Sequence, residues 1–301
     1  MFKIIQTRKI WYTVSIILVS LSIIGWFLWG LKYGIDFTGG SLMDVSYAQQ
    51  RPSMDQVKVA FEQIQLPSVI VQPAGERDYL LRFQNVDEAK HQEIISAIST
   101  IKIDNVENNT FTENKFESIG PSLGKELKSK AIQAIIIVLV FIVLYIAYAF
   151  RKVSKPVESW KYGVSAIIAL THDILIVTGV FVFLGKFAGV EVDSLFVTAL
   201  LTILGFSVHD TIVTFDRIRE NLFKSRSYEN FEEIINISIN QTMIRSLNTS
   251  LTTFLALMAI LIFGGASTRY LALALSIGVV VGTYSSIFIA SPLLLLFNKK
   301  R

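Results

Sequence analysis

Four ionisable residues stand inside long apolar runs of this 301-residue chain, His172, Asp173, His209 and Asp210, and Arg245 stands at the edge of the next run. An ionised group at the centre of a bilayer costs roughly 2.5–3.5 kcal/mol even on the mildest scales, so such residues pair, line water or move protons. His172-Asp173 falls about ten residues into its run, on the order of 15 Å from the nearer edge, whereas His209-Asp210 lies within about two turns of the end of the next. Helical spacing places Ser207, Asp210, Thr211 and Thr214 on one face, and Arg245, Asn248, Thr249 and Thr252 on one face of the following helix. Stripes of this kind are disfavoured against lipid and are expected to face each other or a wet interior. The chemistry that results is proton uptake and release by Asp210 as water access alternates, with Arg245 biasing its charge. A static Asp210–Arg245 pair glued by hydroxyls and amides is the structural alternative. The histidines either relay protons or hold interhelical hydrogen bonds. Two His-Asp pairs without further ligands make a poor metal site, and neither a metal nor a cofactor is expected.

The elements that position these residues follow from composition. With 52% hydrophobic and 17% charged residues and a mean hydropathy of +0.52, the chain reads as a membrane protein. About 20 apolar residues span a bilayer as a helix. The runs Ile10–Leu31, Ala131–Phe150, Tyr162–Leu184, Ser194–Phe215, Ser246–Phe263 and Tyr270–Phe297 give six candidates. The first follows Lys3, Arg8 and Lys9 but is too long for a signal core of about 7–15 residues, so it is a retained helix. Ser291-Pro292 is a candidate kink, while Ser276, Thr283 and Ser286, beside Gly278, Gly282 and Ser285, are packing positions of the last helix.

Residues 1–10, 151–161, 216–245 and 298–301 hold fifteen Lys and Arg, against Lys186 and Arg269 in the opposite loops. Both termini are therefore expected in the cytoplasm and residues 32–129 outside it. The basic residues follow topology rather than a nucleic-acid surface, and no nucleic acid is expected as a partner. There is no cysteine, which excludes disulfides, thiolate metal sites and cysteine nucleophiles.

The expected organisation is residues 1–31 for the N-terminus and first helix, 32–129 for an inserted domain and 130–301 for helices two to six. Within the insert, Ser41–Ala48, Val69–Gln72, Tyr79–Phe83 and Glu107–Ser118 read as strands. Ser53 or Asp55 caps a helix carrying Val57, Phe61 and Ile64, and Asp87 caps one carrying Ile94, Ile95 and Ile98. The fold expected is a membrane all-α six-helix bundle with an inserted α+β ferredoxin-like domain of order βαββαβ, a pattern that specifies no function. Gly34, Asp36, Phe37, Gly39 and Gly40 form a turn between the first helix and first strand. The turn lacks the Lys-Ser/Thr ending of a phosphate loop and reads as a structural joint. Residues 216–222 form a charged helical extension, either solvated or serving as a docking surface or gate.

Gly34–Gly40, Gly120-Pro121-Ser122-Leu123-Gly124, His172-Asp173, Ser207-Val208-His209-Asp210-Thr211, Phe215–Asn221 and Arg245–Thr253, in this order, resemble the SecD/SecF protein-export family, on its SecF side. The resemblance implies an accessory subunit of the Sec translocase in the bacterial plasma membrane. It would work with a SecD-like partner beside the Sec channel, coupling the proton-motive force to preprotein export without enzymatic catalysis. Asp210 and Arg245 match the family's proton-coupling positions. The inserted domain matches the region that engages emerging preprotein, with membrane lipids as the surroundings. The sequence departs from the family pattern at His209, where Asn is usual, and at Phe206, where Tyr is common. An exporter of the resistance-nodulation-division type and a non-coupling translocon scaffold are the competing functions.

Overall fold

The computed structural model describes residues 2–101, 103, 109–151, 158–225 and 230–297. They form two compact units, Tyr33–Ala131, and Met1–Lys32 with Ile132–Arg301. Helix α1 (Arg8–Trp29) precedes the smaller unit, which comprises α2 (Ile35–Thr38), β1 (Gly40–Tyr47), α3 (Met54–Gln63), β2 (Ile70–Pro73), β3 (Asp78–Phe83), α4 (Glu88–Ser99) and β4 (Phe111–Ile119). The chain continues through α5 (Pro121–Ala149), α6 (Ser159–Ala188), α7 (Ser194–Lys224), α8 (Phe231–Phe263), α9 (Ala266–Ser285), a π turn (Ser286–Ala290) and α10 (Ser291–Leu296).

In the smaller unit the four strands run antiparallel in the order β2-β3-β1-β4. Period-two alternation aims Met43, Val45 and Tyr47 of β1 and Tyr79, Leu81 and Phe83 of β3 to one side. There they meet Val57, Phe61, Ile94 and Ile98 of the two helices. Ser53 caps α3 in a reciprocal pair with Gln56, and Asp87 caps α4 through the Lys90 amide at 2.9 Å. Both caps fall where the sequence places them. The fourth strand starts at Phe111, four residues later than expected, and positions 107 and 108 lie outside the described residues. The glycine motif holds a one-turn helix, closed by Gly39 at φ +75°. Here α5 meets the motif: a Cβ on Gly39 would sit 2.8 Å from Pro121 Cα, and one on Gly124 would sit 2.9 Å from the Gly39 nitrogen.

The larger unit holds six helices long and apolar enough to cross a membrane. Helix α6 and the α9–α10 segment are the most buried of these, while α5 and α8 turn most of their apolar surface outward. Packing is close where side chains are small. A Cβ on Gly278 of α9 would overlap Ile203 of α7 at 2.2 Å. Ring stacking of Phe150 on Tyr162 at 5.2 Å, with Phe215 edge-on to both, closes one end of the bundle. The N-terminal residues reach the same end, where the Phe2 amide donates to Asn240 Oδ1 at 2.8 Å and Arg8 pairs with Glu232 at 2.9 Å.

The apolar run Ser246–Phe263 is only the second half of α8, whose 33 residues begin at Phe231. Its first half is amphipathic, burying Ile234, Ile235, Ser238 and Ile239, so helix continues where hydropathy falls. Similarly, α7 extends to Lys224 by burying Ile218 and Leu222. At the far end, Pro292 has no amide hydrogen for the helical ladder and its ring crowds the preceding turn. The π turn before it widens the helix, and the Ser291 hydroxyl donates to the Ser286 carbonyl at 3.0 Å.

The contact between the glycine motif and α5 is testable. Gly124→Ala should destabilise the smaller unit by about 1–3 kcal/mol through overpacking against backbone. Gly120→Ala, whose Cβ meets nothing nearer than Ser122 Oγ at 4.0 Å, should change stability by less than about 0.5 kcal/mol. Limited proteolysis of the full chain in detergent, scored for cuts within residues 33–131, distinguishes the two.

Candidate functional site

Asp173 is fully buried in α6, where α7 and α9 reach it directly and α1 reaches it through His172. Ser207 of α7 donates to its Oδ2 at 2.5 Å, and Ser285 of α9 donates to the same oxygen at 2.8 Å. Oδ1 lies 2.9 Å from His172 Nδ1, while His172 Nε2 lies 3.1 Å from the hydroxyl of Ser15 in α1. Ser15 in turn meets Tyr284 OH at 3.1 Å, and that phenol donates to the Trp11 carbonyl at 2.9 Å. The pattern assigns the protons. With the phenol hydrogen committed to Trp11, Ser15 donates to Tyr284 and His172 Nε2–H donates to Ser15. One proton then lies between His172 Nδ1 and Asp173 Oδ1, so the pair is electrically neutral whichever atom holds it. Every polar atom of the pair is satisfied, as a low-dielectric interior requires.

Asp210 is placed differently. It is also buried, but Oδ1 accepts from Ser246 of α8 at 3.1 Å and Oδ2 has no hydrogen-bond partner among the described residues. The Thr283 hydroxyl approaches this carboxylate. It is committed to the Val279 carbonyl at 2.8 Å and to Ser250, and leaves Oδ2 unpaired. Arg245 and His209 act on the carboxylate electrostatically without an ion-pair contact. A buried carboxylate with one unpaired oxygen is costly to ionise and has a free atom on which to bind a proton. The arrangement suits reversible protonation.

Ser207, Asp210, Thr211 and Thr214 are buried together along α7. Thr211 pairs with Ser286 at 2.8 Å, and Thr214 donates to the Asp210 carbonyl at 3.2 Å. The stripe on α8 is a correction: Arg245, Asn248, Thr249 and Thr252 are exposed on the described bundle instead of facing α7. Thr242, Ser246 and Ser250 face it in their place. These three also lie four residues apart, and spacing alone could not choose between neighbouring stripes of one helix. His209 is likewise exposed. Gly34, Asp36, Phe37, Gly39 and Gly40 belong to the smaller unit and to its joint with α5. Sequence reasoning missed Ser15, Tyr284 and Ser246; the signal for the first was Ser15 and Ser22 sharing one face of an apolar run. No group of residues able to hold a metal ion occurs among the described residues.

Comparison with known proteins gives the same region a lineage. Residues 99–300 match the model of the C-terminal region of the SecD/SecF protein export membrane proteins, and residues 30–50 match the SecD/SecF GG motif. The chain belongs to the SecD/SecF family. It is 42% identical to a protein translocase subunit SecF of Thermobaculum terrenum, over 100% of this chain and 95% of that one. The corresponding subunit of Pseudomonas aeruginosa is 34% identical over 97% of this chain and 90% of its own length. Among solved structures, the translocon-associated membrane protein SecDF of Thermus thermophilus superposes with a TM-score of 0.83 at 31% identity. That match covers 99% of this chain and 39% of the SecDF chain. A SecDF structure in a super-membrane-facing form gives 0.67, over 98% of this chain and 38% of that one. This family member therefore corresponds to less than half of the solved SecDF chain, and its GG-motif match contains Gly39 and Gly40.

Truncating the saturated acid and neutralising the unsaturated one should differ in cost. Asp173→Ala leaves Ser207, Ser285 and His172 without their acceptor and should cost about 3 kcal/mol or more. Asp210→Asn keeps an acceptor for Ser246 and should cost less than about 1 kcal/mol. Thermal unfolding in detergent should therefore show a large loss for the first and a small change for the second.

Proposed function

We propose that this chain is an accessory subunit of the Sec protein translocase, coupling the proton-motive force to preprotein export together with a SecD-like partner. The carrying observation is Asp210, buried within a membrane-spanning helix with one carboxylate oxygen that has no hydrogen-bond partner among the described residues. Moving one charge through the membrane potential is worth roughly 2.3 kcal/mol per 100 mV, enough to bias a conformational cycle. The GG motif and the full-length likeness to SecF subunits support the translocase setting.

The outward stripe of Arg245, Asn248, Thr249 and Thr252, with exposed His209, supports the partner. Arg245 is exposed where α8 enters its apolar run, a charge against lipid there is costly, and a second membrane domain covering α8 removes that cost. Orientation follows the basic residues: both termini cytoplasmic, and the α/β unit outside, where it meets emerging preprotein. The order βαββαβ with sheet order β2-β3-β1-β4 supports a ferredoxin-like reading of that unit. The role in this reading is mechanical coupling without enzymatic catalysis.

The test is export driven by a proton gradient in membrane vesicles carrying the complete translocase. Asp210→Asn protein that still copurifies with its SecD-like partner should lose the proton-dependent part of export. Undiminished export by that variant would refute the coupling role, and failure of any SecD-like chain to copurify would refute the partnership.

A further inference from the structure

Glu232, Asn236 and Asn240 stand four residues apart on the first half of α8 and form one polar stripe about 12 Å long. All three bind residues 2–8. Asn240 meets the Phe2 backbone twice: its Oδ1 accepts from the Phe2 amide at 2.8 Å, and its Nδ2 donates to the Phe2 carbonyl at 2.9 Å. Asn236 Nδ2 donates to the same carbonyl at 3.1 Å, while its Oδ1 accepts from the Ile5 amide at 3.3 Å. Arg8 pairs with Glu232 at 2.9 Å and donates to the Ile5 carbonyl at 3.0 Å. A side-chain amide offers both a donor and an acceptor, so the asparagines hold backbone and leave the Phe2 ring exposed. Ile4 and Ile5, by contrast, are buried and join the apolar cluster that contains Ile234, Ile235 and Ile239 of α8.

Residues 2–8 lead directly into α1, which packs along α6 and brings Ser15 to His172. Helix α8 brings Ser246 to Asp210, and Arg245 acts on the same carboxylate. The segment thus joins the helix that serves the saturated acid to the helix that serves the unsaturated one. Helix α8 is unbroken from Phe231 to Phe263. Asn240 lies six residues before Ser246, about 9 Å along the helix, so a shift at the stripe is passed on to Ser246. The Ser246–Asp210 bond spans 3.1 Å. Such a bond is lost by about 3.6 Å, so a slide of about 0.5 Å breaks it.

We propose that residues 2–8 are a strap by which α1 fixes the first half of α8, with Asn236 and Asn240 as positioning residues that keep Ser246 and Arg245 at Asp210. The positioning role rests on the reading of Asp210 as the coupling group; the docking of the strap does not. Its two kinds of contact act differently. Ile4 and Ile5 anchor the segment by leaving water, which is non-directional. The asparagine bonds are directional and set where along α8 the segment sits.

Because the chain has no cysteine, docking can be read from single introduced thiols. In the full chain bound to its SecD-like partner in mild detergent, Ile4→Cys should react with a charged thiol reagent at least about tenfold more slowly than exposed Lys3→Cys. Adding Ile5→Glu, which puts an unpaired charge at a buried site, should bring the two rates within about twofold. In vesicles carrying the complete translocase, Ile5→Glu should lower the proton-dependent part of export at least about fivefold, as should Asn236→Ala with Asn240→Ala, roughly the loss of one hydrogen bond at Asp210. The gradient-independent part should be unchanged for both. Ile4→Cys as reactive as Lys3→Cys overturns the docking. Undiminished proton-dependent export by the asparagine variant overturns their assignment, and an equal fall in both parts of export shows a merely structural role and overturns positioning. If Asp210→Asn keeps proton-dependent export, the coupling reading fails and takes the positioning role with it, while the contrast between Ile4→Cys and Lys3→Cys still decides whether the strap docks.

Discussion

Inside a bilayer no water is available to satisfy a polar group, so every such group must find its partner within the protein or next to it. Asp173 shows how far this constraint organises the bundle. Its carboxylate gathers Ser207 from α7 and Ser285 from α9, and His172 extends the network to Ser15 of α1. Displacing any of these helices leaves a donor or acceptor stranded in hydrocarbon. Gly278 and the small residues around it contribute by letting α9 approach α7 closely enough for such short side chains to meet.

Against that saturated node, the incompleteness of Asp210 is functionally informative. The two acids are found on adjacent helices, and Ser207, which binds the first, precedes the second by less than a turn. A neutral pair with every atom bonded holds helices in register, while an acid with a free oxygen can change its protonation state. The same fold thus holds one saturated carboxylate and one unsaturated one, and the difference lies in hydrogen-bond counts rather than in residue type.

A second consequence of the constraint concerns the outer face of the bundle. Helix α8 keeps Thr242, Ser246 and Ser250 inside and turns Arg245, Asn248, Thr249 and Thr252 outward. Polar residues on both sides of a membrane helix suit a helix placed between two protein bodies. The match to 39% of the solved SecDF chain agrees with such an arrangement.

Much of this was legible in the residues themselves. Apolar run length and caps at Ser53 and Asp87 determined the six long helices and the strand and helix order of the α/β unit, because these depend on local periodicity and local hydrogen bonds. The ionisable residues in those runs identified Asp173 and Asp210 as places where chemistry or pairing must occur. Only the tertiary structure decided which acid is saturated and which is not, since Ser285 and Ser246 reach the acids, and Ser15 reaches His172, from distant parts of the chain. It also decided which stripe of α8 faces inward: two polar stripes on one helix have the same period, and the choice between them is made by the helix packed against it.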